Sequence, residues 1–323
     1  MVLALLFVSA PSFVAVPLSE VKGNVGTVRI SDSGYVAYST MDTIYLWQGG
    51  KVRWRASQRK FVPYEDDRYF GISVVANDGT IGGSIGNGAP LFMSGQEQSE
   101  AALLKNGQLK VPEETGGSGE VADIASDGTI IGSSSWRGFV IRRGRKAIWK
   151  PVTTWPNGNI SKLLAANSKG DYLGTSSRFA TYQSTPFVYS KGKYTWLLAG
   201  FDNSYLEVND FNSSGTVVGT QPAWKDGLLE RQDGLIWREG SARRQLIPDA
   251  SLKAINDDGW IVGKSGGKAC VWIDNVAHDL NALVPPETGW VRTEAQGINR
   301  SGSIVGIEKK GESTRPFLLR LKK

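Results

Sequence analysis

Cysteine and histidine are nearly absent from this chain of 323 residues, which holds one of each, Cys270 and His278. One cysteine excludes an internal disulfide and any cysteine-based zinc cluster, and one histidine excludes a histidine-rich metal site, so no metal is expected. Cys270 falls in the apolar triplet Cys270-Val271-Trp272, where a buried, inert thiol is expected. No serine or cysteine motif adjoins His278, which argues against a hydrolytic triad. Long apolar runs are missing too. The N-terminal run from Val2 to Val8 is too short to cross a bilayer as a helix, and no other segment is longer, so no membrane span is expected. Basic stripes are also lacking. The net charge is +6, but Lys and Arg are scattered, with short doublets such as Arg142-Arg143 and Arg243-Arg244, so nucleic acid is not an expected partner. The glycine-rich stretch at 82–88 precedes no helical pattern, so it is no phosphate loop, and no cofactor is expected.

Glycine and tryptophan are abundant, at 39 and 11 residues, and the glycines are periodic. "ISDSG" ends at Gly34, "VANDG" at Gly79, "IASDG" at Gly128, "ANSKG" at Gly170, "FNSSG" at Gly215, "INDDG" at Gly259 and "INRSG" at Gly302. Spacings of 42–49 residues across the chain indicate a repeat architecture. Each copy carries turn chemistry. At 256–259, Asn256 can accept a backbone hydrogen bond two residues on, Asp257 and Asp258 suit the middle of a type I turn, and Gly259 suits the left-handed position that completes a hairpin. A second glycine follows four residues later at Gly83, Gly132, Gly174, Gly219, Gly263 and Gly306. Glycine inside a strand implies a bulge or a close backbone; packing against a neighbouring sheet is expected. A looser hairpin completes the copy, as in Tyr45 to Trp54 and Leu235 to Ile247.

Four short antiparallel strands per repeat is the size of one propeller blade. The fold class is therefore all-β: a single seven-bladed β-propeller over 13–323, with repeats near 26–57, 71–112, 121–152, 162–199, 206–248, 252–284 and 294–323. Fourth strands end near proline (Pro112, Pro151, Pro248, Pro285), and so does "FVAVP" at Pro17. The last copy lacks a fourth strand, so Phe13 to Val16 is expected to close the ring there and remove two sheet edges. Residues 1–12 read as a signal-peptide remnant, implying a secreted or periplasmic protein. A basic n-region is missing, so either the natural start lies upstream or the segment is no signal.

The pattern "INxxGxIVG", followed by an "AFLW"-like strand, resembles the HAF family of extracellular repeats, whose units resemble propeller blades. The match runs from about Val28 onward and is best where Asn167, Asn212, Asn256 and Asn299 hold the first turn position. Ser31, Ala76 and Ala125 depart from it, and the second element is degenerate at Pro186-Phe187, Leu235-Ile236-Trp237, Cys270-Val271-Trp272 and Pro316-Phe317. The resemblance implies a repeat type and carries over no catalytic residue.

Both tight hairpins of a blade fall on one rim, so the long connections gather on the other. That rim is expected to hold Tyr64, Tyr69, Trp136, Trp155, Tyr182, Tyr205, Trp224 and Trp290, in loops that include 57–70, 200–207, 220–233 and 285–294. Tryptophan and tyrosine on a rigid scaffold suit binding of a glycan, a cell-surface polymer or a protein segment; alternatively, they cap apolar gaps between blades. Trp47, Trp237 and Trp272 are expected in the core. The favoured function is a monomeric, non-catalytic binding or scaffold module. The alternatives are a carbohydrate-active hydrolase or lyase built on Glu65, Asp66 and Asp67, or a purely structural repeat. The acidic turns lack the alternating ligands of a calcium loop.

Overall fold

The computed structural model describes residues 11–18, 21, 23–58, 69–86, 99–112, 119–134, 137–142, 148–149, 159–178, 184–197, 206–225, 228–238, 241 and 244–322. Among these, seven four-stranded antiparallel sheets form seven blades of a β-propeller. Blades 1 to 6 occupy 25–57, 69–110, 119–149, 159–196, 207–247 and 250–279. Blade 7 joins three C-terminal strands to an N-terminal one: Phe13–Val16 lies antiparallel to Ser313–Leu321, with Phe13 opposite Leu321 and Val16 opposite Leu318. The Lys322 N–H extends this pairing to the Ser12 carbonyl at 2.8 Å.

The core is divided. Among the described residues the buried apolar side chains form seven clusters, one at each junction between successive blades. Blade 1 meets blade 2 through Ile44, Leu46, Phe70 and Ile81, and blade 7 meets blade 1 through Val305, Leu318, Val28 and Trp47. The middle strands are therefore covered on both faces and read as nearly continuous apolar runs, as in Thr43–Gln48. Outer strands alternate, as in Lys51–Ser57. Trp47, Trp237 and Trp272 are buried, as expected.

All seven turn glycines adopt left-handed φ angles of 75–81°. In each turn the glycine N–H donates to the first residue's carbonyl, and that residue's N–H donates to the carbonyl after the glycine, as in Gly259 to Asn256 and Asn256 to Trp260, both 3.0 Å. This is a type I turn closed by a glycine bulge.

The second glycine has a different cause from the one expected from sequence. In blades 2 to 7 the first strand carries a β-bulge six residues before the turn glycine, as between Leu252 and Ala254. The bulge pushes a carbonyl toward the second strand of the same blade. A Cβ at Gly263 would land on the Ser251 oxygen, and one at Gly132 on the Glu120 oxygen. From the other side, Phe139, Phe187 and Phe317 lie across from Gly132, Gly174 and Gly306 and place their rings over the bare backbone. Blade 1 shows the converse. Its bulge sits two residues earlier at Gly26, and the equivalent position holds Tyr38, stacked on Tyr45 at 5.0 Å.

Two other expectations are corrected. "NALVP" does not end a fourth strand: Leu280–Leu283 is a single helical turn, capped by the Asp279 carboxylate accepting from Asn281 N–H at 2.8 Å. Arg292 holds its far end by donating to the Leu280 carbonyl at 3.3 Å and to that of Val284. The stretch 220–233 is no irregular loop either, because Thr216–Lys225 and Leu228–Arg238 pair through it as one extended hairpin.

Deleting 13–17 should lower the melting temperature by roughly 10 °C, measured by calorimetry; an unchanged value contradicts the closure. Gly263→Ala should cost about 3 kcal/mol or more in chemical denaturation, against about 1–2 kcal/mol for Gly259→Ala, where only left-handed strain is added.

Candidate functional site

The first strands of the blades wall a central channel: Val25–Ile30, Tyr69–Val75, Gly119–Ile124, Asn159–Ala166, Glu207–Phe211, Ala250–Ile255 and Val291–Ile298. The bulges matter here because an extra residue re-aims the side chains beside it. Three tiers of polar groups result, and in the two tiers nearer the turns most reach forward to the next blade.

The turn tier is an asparagine ladder. Asn167 Nδ2 donates to the Asn212 carbonyl at 3.3 Å, Asn212 to Asn256 at 3.1 Å, Asn256 to Asn299 at 3.4 Å and Asn299 to Ser31 at 3.1 Å. The Oδ1 of the same amide accepts from its own turn, for example from Ser214 N–H and Thr216 N–H at 3.1 Å each. The turn side chains also narrow this end of the channel. Asp257 accepts from Ser213 N–H of blade 5 at 2.9 Å and from Ser168 Oγ of blade 4 at 3.0 Å. The Arg300 guanidinium lies 3.8 Å from Asp32 and 3.9 Å from Asp257. The space left there is about 210 Å³.

The middle tier stands five residues before each turn glycine and holds Arg29, Asp123 and Asp210. Asp123 accepts from Ile124 N–H at 2.7 Å and from Ala166 N–H of blade 4 at 2.8 Å. Asp210 accepts from Phe211 N–H at 2.8 Å and from Ile255 N–H of blade 6 at 2.9 Å. Arg29 donates to the Ser73 carbonyl of blade 2 at 2.7 Å. Burial pushes the Asp123 carboxyl up to about 6. Burial, with the Asp123 charge adding to it, pushes Asp210 up to about 7. Both oxygens of each carboxylate are engaged by backbone N–H groups, so the pair ties blades together.

Toward the long-loop end the channel opens into a cavity of about 720 Å³. Its wall carries Glu120, Lys162, Glu207, Lys253 and Glu294, together with Asn209 and Gln296 at bulge positions. Asn209 donates to the Leu252 carbonyl at 2.7 Å, and Gln296 accepts from Val28 N–H at 2.8 Å. The volume is that of a small-ligand pocket.

Of the rim aromatics, Tyr64, Trp136, Trp155, Tyr182 and Tyr205 lie outside the described residues, as do Glu65, Asp66 and Asp67. Tyr69, Trp224 and Trp290 belong to blades 2, 5 and the approach to 7. Tyr69 opens its strand, 46% exposed, and Trp224 is 48% exposed on the extended hairpin beside Leu228, which is 73% exposed. Trp290 is half-buried under the Arg315 guanidinium, 4.0 Å from its ring centre; Arg315 pairs in turn with Glu287 at 3.1 Å and Glu308 at 2.6 Å. Trp290 thus caps blade 7 in a charged network. Cys270 is buried, which pushes its thiol up to about 11. The channel tiers escaped the sequence reading. Their signal was a charged residue at one fixed place in an apolar strand, in "VRISDSG", "ADIASDG" and "NDFNSSG".

Both carboxyls titrate above their unfolded value of 3.8. The folded chain thus holds these protons more tightly, and that stabilisation is complete below about pH 4 and lost as pH rises through about 6 to 7. Relative to the unmodified chain, Asp210→Asn should gain on the order of 3 kcal/mol in urea denaturation between about pH 4 and about pH 8. Its stability at acid pH should be lower, since an amide accepts only at Oδ1. A parallel pH dependence in both chains contradicts this assignment.

No family model matches the chain, and no curated protein matches it in sequence. Solved structures do resemble it. A streptogramin B lyase structure superposes with a TM-score of 0.56 at 13% identity, over 96% of this chain and 97% of that one. The β-propeller domain of the Trilobed protease from Pyrococcus furiosus, described as an open velcro topology, gives 0.52 at 11% identity, over 91% and 94%. A chain of the mitotic checkpoint complex gives 0.51 at 10% identity, over 97% and 95%. At such identities the likeness is one of fold, and this chain shares the propeller architecture with all three.

Proposed function

We propose that this chain is an exported, monomeric, non-catalytic binding module, an extracellular repeat protein of the HAF type. Its ligand, a glycan or a peptide segment, enters the central channel from the long-loop rim. One observation carries the reading: the channel is narrowed at the turn end by the Ser168–Asp257 contact and opens at the other into a polar space of about 720 Å³. Ligand sites favour such pre-formed concavities, with few polar groups at fixed places. The buried carboxylates nearest to an acid–base pair, Asp123 and Asp210, have both oxygens engaged by backbone amides, which favours binding over hydrolysis. Trp224, exposed on the extended hairpin of blade 5, supplies contact area at the rim.

Screening the intact chain against glycan and peptide arrays, with mass spectrometry of the supernatant, tests this. Binding without product is expected. Ala122 is a bulge residue that lines the channel, so Ala122→Trp fills the space and should weaken binding by about tenfold or more. Product formation, or binding indifferent to Ala122→Trp, contradicts the proposal.

A further inference from the structure

Charge sign alternates around the wall of the larger cavity. Glu120 of blade 3, Lys162 of blade 4, Glu207 of blade 5, Lys253 of blade 6, Glu294 of blade 7 and Arg29 of blade 1 line one cavity in that order. Three of these are engaged by neighbours. Glu120 accepts from Ser73 Oγ, Glu294 accepts from Gln296 Nε2 at 3.0 Å, and Arg29 donates to the Val28 and Ser73 carbonyls at 3.1 and 2.7 Å. Lys253 and Glu207 differ. Among the described residues neither side chain has a hydrogen-bond or ion-pair partner. They stand on adjacent first strands, Lys253 as the bulge residue and Glu207 at the strand's opening position.

Lys253 is half-buried and Glu207 exposed on the cavity wall, so a charged partner gains most at Lys253, and a second, opposite charge on the same ligand adds a pair at Glu207. Two such groups of opposite sign, on adjacent first strands of one cavity, call for a ligand with both an ammonium and a carboxylate. A purely anionic or cationic ligand satisfies one group and is repelled by the other. A glycan without charge satisfies neither.

We propose that the channel takes a zwitterionic ligand, the class of free amino acids and short peptides, with its carboxylate at Lys253 and its ammonium at Glu207. This rests on the channel being the binding site and names the chemistry of its ligand. The cavity of about 720 Å³ has room for a tripeptide.

Free trialanine, its N-acetyl form and its C-terminal amide, titrated by calorimetry into the intact chain, test the assignment. Free trialanine should bind, and each capped form should bind about tenfold or more weakly. Lys253→Gln should weaken trialanine yet leave the amide unchanged, and Glu207→Gln should do the same for the N-acetyl form. Neither substitution removes a side-chain hydrogen bond or ion pair among the described residues, so melting temperatures should hold and serve as the folding control. The proposal is overturned by absent trialanine binding at millimolar concentration, by equal binding of the capped forms, or by variants that weaken all three peptides alike. A glycan that binds and is lost in Ala122→Trp, while trialanine does not bind, retains the channel as binding site and overturns the zwitterion.

Discussion

Among the described residues, every blade but the second holds the next through a side chain that reaches one step forward to backbone. The asparagine that opens a turn does this most economically: Oδ1 organises its own hairpin while Nδ2 binds the carbonyl of the following turn. Asp123 and Asp210 repeat the device on the middle tier with the sense of donation reversed, and Arg29 and Asn209 repeat it with carbonyl acceptors. Apolar contact between blades is non-directional and tolerates sliding. The forward bonds are directional and set the angle at which each sheet meets its neighbour, as the polar groups of a packed interior can. The ladder runs from blade 4 to blade 1, across the junction between blades 7 and 1, and has no donor at Ser31, Ala76 or Ala125.

The bulges couple this framework to the channel. An extra residue in the first strand turns polar side chains inward and at the same time drives a carbonyl toward the second strand, where only glycine fits. The ring of an aromatic on the third strand then covers that glycine in blades 3, 4 and 7. Glycine and bulge therefore form one unit, completed by the aromatic in those three blades, and the shifted bulge of blade 1, with Tyr38 in place of glycine, is its consistent exception. A polar channel is thus a by-product of the repeat, and binding chemistry is set by which residues stand at the bulge and at the two positions that flank it.

Local causes were legible in the sequence and non-local ones were not. The turn glycines could be read because a left-handed residue after Asn-Asp-Asp is a property of four consecutive residues. Seven even copies gave the blade count, and the proline-ended motif at Phe13 to Pro17 gave the ring closure. The second glycine could be located but not explained, since the carbonyl that excludes a side chain belongs to a residue twelve positions upstream. Asn256 was read as a local acceptor, a role that aspartate fills equally well; the recurrence of the amide in four copies was the sign that a donor was also needed. "NALVP" resembled the strand ends before other prolines, yet Asp279 is a helix cap and Arg292 satisfies the far carbonyls. The stretch 220–233 carried Asp226-Gly227, a tight-turn dipeptide, between two halves that pair as strands. Of the rim aromatics described, Trp290 is engaged by Arg315, a contact across 25 residues that composition could not show.

The forward bond is tested most directly by the denaturation free energies of Asn256→Asp and Asn256→Ala in urea near neutral pH. Aspartate keeps the acceptor for Trp260 N–H and removes the donor to the Asn299 carbonyl. The account predicts that Asn256→Asp loses about 1–3 kcal/mol, most of the loss seen in Asn256→Ala. An Asn256→Asp chain as stable as the unmodified one contradicts it.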